Sequence, residues 1–138
     1  MEEKVCKWLK EQMAKSPFAE SMGMTLLDIA PGYAKAEARY SEEMCNLNGL
    51  IHGGAIFALI DGVLGAAASS CGTMVTGLNI NVTFTRPPSI GSTVIAEARE
   101  QSRSKYTANY HIEVRQRSEN EDKLIALCQA VVPLRTES

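Results

Sequence analysis

Asn46-Leu47-Asn48-Gly49-Leu50-Ile51-His52-Gly53-Gly54 runs directly into Ala55-Ile56-Phe57-Ala58-Leu59-Ile60-Asp61-Gly62-Val63-Leu64-Gly65-Ala66-Ala67-Ala68-Ser69-Ser70. The first part is turn formers and polar side chains; the second is apolar and rich in alanine. From Gly54 to about Ser70 the run is too long for one strand, so it predicts a helix. Large side chains at Phe57, Ile60 and Leu64 form one stripe, while Gly54, Ala58, Gly62, Gly65 and Ser69 permit close approach of other backbone. One acid, Asp61, interrupts the run. Its neighbours one helical turn away are Phe57, Ala58, Leu64 and Gly65, and a carboxylate buried among them is costly unless something answers it. A membrane span is a poor reading: the run is short, Asp61 sits at its middle, and two glycines precede it. A helix apolar on nearly all sides in a soluble chain is one wrapped by other structure.

The flanking sequence supplies the wrapping. Residues 2–15 predict a short amphipathic helix with Val5, Trp8, Leu9 and Met13 at helical spacing, packing its Trp8 face on the domain. Ser16-Pro17 ends it, because a residue before proline is pushed out of the helical region. Met24–Ala30 and Tyr33–Tyr40 flank the turn dipeptide Pro31-Gly32 and predict a hairpin. In its second strand Ala34, Ala36, Ala38 and Tyr40 alternate with Lys35, Glu37 and Arg39. Residues 41–48 predict a loop. After the central helix, Leu78, Ile80, Val82 and Phe84 alternate with polar residues up to Arg86-Pro87-Pro88; Ser92–Arg99, Tyr106–Arg115 and Lys123–Pro133 predict three further strands. Short links imply antiparallel pairing. The expectation is one α+β domain over residues 1–138, an antiparallel sheet of about five to six strands wrapped around a long central helix, with a short N-terminal helix.

Composition narrows the function classes. Of 138 residues, 45% are hydrophobic and 22% charged, with a net charge of −2. No basic field suits nucleic acid. Cys6, Cys45, Cys71 and Cys128 are scattered, and only two histidines are present, so a zinc site has little support. Scattered thiols and a charged N-terminus without a signal-peptide core fit a cytoplasmic protein. No metal, cofactor, nucleic-acid or membrane partner is expected.

His52-Gly53-Gly54 lies where the helix begins. The first amides of a helix are unsatisfied donors at its positive end, suited to polarising a carbonyl and stabilising an oxyanion. Asp61 is a candidate general base or nucleophile, and Asn46 a candidate to orient water or hold the carbonyl. Asp61 lies eight residues after Gly53, about 12 Å along a helix. One carbonyl cannot touch both in a single chain, so either Asp61 has no catalytic role or a second copy brings its helix alongside. Ile56, Phe57, Ile60 and Met74 are candidates to line an apolar ligand pocket and equally good core residues. His111, on the polar side of its strand, reads as solvated.

The pattern Asn46-(x)5-His52-Gly53-Gly54-(x)6-Asp61, followed by Phe84-Thr85-Arg86-Pro87, resembles the hot-dog-fold acyl-CoA thioesterases. It is most similar to the PaaI-like branch of the 4-hydroxybenzoyl-CoA thioesterase superfamily, and the resemblance runs from about Phe18 to Val132. It implies hydrolysis of an acyl-CoA to free acid and CoA, with Asp61 as base or nucleophile and the Gly53 amide polarising the carbonyl. Asn46 would hold the carbonyl or water, and His52 would support the loop and the thiol-leaving side. It also implies a site spanning a homodimer interface and pairing of dimers into a homotetramer. A Ser or Thr is often present on the strand after the helix; here Thr76 or Asn79 are the candidates. Gly54 joins the substrate contacts, and Arg86, Arg103, Ser104 and Lys105 are the candidates to meet the CoA phosphates. The alternatives are a non-catalytic acyl-CoA binding or sensing module and a hot-dog hydratase or dehydratase, which the order Asn, His-Gly-Gly, Asp fits poorly.

Overall fold

A computed structural model describes residues 2–70 and 79–134. Helix α1 (Glu2–Ala14) is followed by α2 (Pro17–Ser21), β1 (Met24–Ala30), β2 (Tyr33–Arg39), a 3-10 turn at Glu42–Met44, and the long helix α3 (Gly53–Ser69). Strands β3 (Asn79–Phe84), β4 (Thr93–Arg103), β5 (Thr107–Gln116) and β6 (Lys123–Pro133) complete the chain. All six strands form one antiparallel sheet in the order β1-β2-β4-β5-β6-β3, and α3 packs across one face of it. This is the hot-dog arrangement expected from the sequence.

The inner face of the sheet explains how close α3 can lie. Ala34, Ala36 and Ala38 on β2 pair in register with Ala98, Ala96 and Val94 on β4, and all six are buried. Small side chains leave room for Leu59, Ile60, Val63 and Leu64 of α3, which are wholly enclosed. Burial of each such side chain is worth about 1.5–3 kcal/mol. Hydrogen bonds at both ends fix the helix along its axis. The buried Tyr40 hydroxyl donates to the Ala55 carbonyl oxygen at 3.2 Å, near the start of α3. At the other end the buried Ser70 hydroxyl donates to Ala67 O (2.6 Å) and accepts from the Gly32 amide (2.8 Å). Gly32 has φ +71°, the left-handed conformation that the β1–β2 turn requires and glycine adopts without a steric penalty.

Several expectations are corrected. α1 turns Cys6 inward, with Val5, Leu9 and Met13 partly covered beside it, while Trp8 is 49% exposed. At roughly 100° per residue, Cys6, Leu9 and Met13 fall on one stripe and Trp8 off it. Ser16-Pro17 ends α1 and also starts α2, which was not anticipated: the Ser16 hydroxyl caps the Ala19 amide at 3.2 Å and Pro17 occupies the first turn. β3 does not pair with its sequence neighbour β4. The chain crosses to the far edge, where β3 pairs with β6 and, among the described residues, no strand pairs with its other side. β4 continues to Arg103, which therefore belongs to the strand rather than to the link after it.

The largest correction concerns Asp61. It is exposed, not buried, and so is Phe57, at 39%. α3 is apolar almost all round, but the sheet covers only one side. Gly54, Phe57 and Asp61 lie open, flanked by the half-covered Ala58, Gly62 and Gly65. The described residues do not wrap this helix on all sides.

Candidate active site

A cleft of about 330 Å³ opens at the start of α3, lined by Asn46, Leu50, Gly53, Ile56, Phe84 and Arg86 among others. Three local features build it. The Asn46 side-chain oxygen accepts from the Asn48 amide (2.9 Å) and the Leu50 amide (3.1 Å), so Asn46 closes its own loop. The His52 amide donates to Met44 O at 2.8 Å, and its carbonyl accepts from the Ala55 amide at 3.0 Å, which sets where the helix begins. Thr85 extends the β3–β6 pairing, its amide bonding Ile125 O (2.8 Å) and its hydroxyl Leu124 O (2.7 Å), which holds Arg86 at the rim.

Three sets of donors remain unused there. The Gly53 and Gly54 amides open the helix without an acceptor among the described residues, as the first amides of a helix do. The Asn46 side-chain NH₂ has no partner among the described residues, because only its oxygen is engaged by the loop. The Arg86 guanidinium is exposed and forms no ion pair among them. A Cβ placed on Gly53 would come within 3.5 Å of the Phe84 ring, whereas at Gly54 it would meet open space. The cleft thus presents backbone N–H groups, an amide and a cation to whatever enters.

The other candidates lie elsewhere. The His52 side chain is exposed and makes no capping bond, so the loop is supported by its backbone. Asp61 sits two turns along α3, its carboxylate without a hydrogen bond or ion pair among the described residues. Arg103, Ser104, Lys105 and Asn79 lie toward the opposite end of the sheet, Arg103 on β4 and Asn79 three strands away on β3. Phe84 aligns through Ala126 with Val114, and Arg103 aligns with Ala108. That is six residues along β5, roughly 20 Å. Arg103 is paired with Glu100 at 2.7 Å, the Ser104 hydroxyl lies 3.1 Å from that of Thr107, and Lys105 rests over the Tyr106 ring at 5.4 Å. Within one chain, Arg86 alone of the four proposed phosphate contacts borders the cleft. Thr76 and Met74 lie outside the described residues.

Other chemistries find little here. Cys128 is buried, and burial pushes its thiol up to about 11, away from the thiolate a nucleophile needs. No group of three His, Cys, Asp or Glu side chains converges among the described residues. No helix among them is long and apolar enough to cross a membrane. His111 is not simply solvated: on the outer sheet face it lies 3.4 Å from Glu113, which Arg115 also contacts at 3.1 Å. Burial alone would raise the Glu113 carboxyl, but the bonds from His111 and Arg115 outweigh it and hold the group below its ordinary value.

Residues 48–123, which include the helix start, Asp61 and Arg86, match the family described as the Thioesterase superfamily. The chain belongs to that superfamily. A relative from Archaeoglobus fulgidus, named "Putative esterase", is 31% identical over 90% of this chain and 79% of its own length. Among solved structures, a mutant of the phenylacetic acid degradation protein PaaI from Thermus thermophilus is 33% identical. It covers 86% of this chain and 98% of that one, with a TM-score of 0.78. The Escherichia coli PaaI protein shares the fold at a TM-score of 0.78 and 24% identity, covering 94% of this chain and 98% of that one. Thioesterase-superfamily membership makes the helix start, with its unused amides, the place to look for carbonyl chemistry.

Proposed function

We propose that this protein hydrolyses acyl-CoA thioesters to a free acid and CoA, at a site completed by a second copy of the chain. The observation that carries this is the unused Gly53 amide in a cleft shared with Asn46 and Arg86, two turns from a carboxylate without a partner among the described residues. The thioester carbonyl oxygen accepts from the Gly53 N–H and the Asn46 NH₂, which stabilise the charge that develops on it. Asp61 removes a proton from water as it attacks, or attacks the carbonyl itself to give a mixed anhydride that water then hydrolyses to the free acid, restoring the carboxylate. The tetrahedral species collapses, the C–S bond breaks, and the CoA sulfur takes up a proton on leaving. Arg86 meets a CoA phosphate at the rim.

Two features support a shared site. Exposed Leu47, Leu50, Phe57 and Phe84 lie along or close to the start of α3, next to the open edge of β3. Such a patch beside an unpaired strand edge is suited to a second copy. A two-fold placed at that edge runs the copies antiparallel, so the Gly53 end of one chain meets the Arg103–Lys105 and Asn79 end of the other. Residues that lie about 20 Å apart in one chain then serve one substrate, with Arg103, Ser104 and Lys105 adding phosphate contacts. Pairing of two such dimers into a tetramer, and a cytoplasmic setting, complete the proposal. Thiol release across short, long, branched and aromatic acyl-CoAs tests it. Turnover of at least one class is expected. Hydration of an enoyl thioester without thiol release, or tight binding without turnover of any, contradicts it.

A further inference from the structure

The acyl end of the substrate needs a place of its own. Of the candidates Ile56, Phe57 and Ile60, Ile60 is wholly buried, Ile56 is 2% exposed and borders the first cleft, and Phe57 stands open at 39% on the uncovered side of α3. A second cleft, of about 570 Å³, lies between α1, α2 and β1. That volume is within the usual range for small-molecule sites. Its lining includes Met13, Met24 and Leu26, with Lys10 and Glu20 contributing polar groups. The methionines connect it to the reaction centre. A Cβ on Gly62, the residue after Asp61, would lie 3.5 Å from Met13 Cε and 3.8 Å from Met24 Cε. Gly62 has no side chain, so the two thioether ends rest on the helix backbone next to the carboxylate.

We infer that this cleft receives the distal part of the acyl chain, and that Met13 sets how long a chain it accepts. The inference rests on the acyl-thioester reading above and deepens it. A thioester held against Asp61 has its CoA portion directed to the other subunit's helix start, and its acyl portion passes Gly62 towards the methionines. Methionine is unbranched and adapts its rotamers, so Met13 and Met24 can part to admit a chain that then packs against Leu26. The substrate class is a linear aliphatic acyl group long enough to reach past Gly62.

Binding of non-hydrolysable S-alkyl-CoA thioethers of increasing chain length tests this independently of turnover. For the native protein, affinity is expected to rise about fourfold per methylene once the chain enters the cleft. Met13→Ala should extend that rise to longer chains, and Met13→Trp should end it earlier, with kcat/KM for the matching acyl-CoAs following the same opposite shifts. Native affinity independent of chain length, or two variants that move every chain length by one common factor, overturns the inference. A protein that shows the chain-length gain but releases no thiol keeps the cleft and loses the hydrolase reading. One that turns over short acyl-CoAs without the gain does the reverse.

Discussion

Asp61→Asn is expected to lower kcat by about 10²–10⁴-fold, the range for loss of a positioned general base, with more lost if Asp61 is the nucleophile. The substitution keeps the shape of the side chain and removes its charge and basicity. Because Asp61 is exposed and makes no hydrogen bond or ion pair among the described residues, the folded chain gives up little when it changes. Thermal stability and oligomer size should therefore match the native protein. A structural carboxylate would behave in the opposite way, moving stability and leaving turnover intact. Steady-state kinetics beside a melting curve separates the two.

Gly53→Val should also cost at least about 10²-fold in kcat/KM, the scale of losing one oxyanion donor. Gly53 does not adopt a left-handed conformation, so a side chain there meets no backbone penalty. A single Cβ sits at ordinary contact distance from Phe84, 3.5 Å, and Gly53→Ala should fold normally with a smaller loss. The two further methyl groups of valine crowd the space between the helix start and the Phe84 ring, and are expected to deny the carbonyl its approach to the amide. The graded series, alanine then valine, distinguishes blocked access from a damaged helix start, which a thermal melt reads directly.

Much of the fold was legible because its signals are periodic. The alternation of alanine with Lys35, Glu37 and Arg39 marks β2, and its buried side is the side seen; β6 runs over Lys123–Pro133 as expected. The hairpin at Gly32 and the span of α3 were read from turn chemistry and length. Other features depend on packing that no periodicity records. An all-round apolar helix does not say which of its sides its own chain covers, so Asp61 reads as buried when it is open. A five-residue helix such as α2 is too short to show a period. Link length suggests that β3 and β4 are neighbours, yet β3 pairs with β6, a choice made by the sheet as a whole. At the site, Asn46, Gly53 and Arg86 do border one cleft. Arg103, Ser104 and Lys105 resemble Arg86 as turn-associated polar residues in the sequence, and only the strand register places them at the other end of the sheet.

That separation, and the 12 Å along the helix between Gly53 and Asp61, make the shared site the central claim. Mixing the inactive Asp61→Asn and Gly53→Val proteins under conditions that exchange subunits tests it most directly. In a mixed dimer one site carries both lesions and the other carries none, so random exchange of equal amounts should restore about a quarter of native activity. No recovery, with mixed dimers shown to be present, would contradict the account.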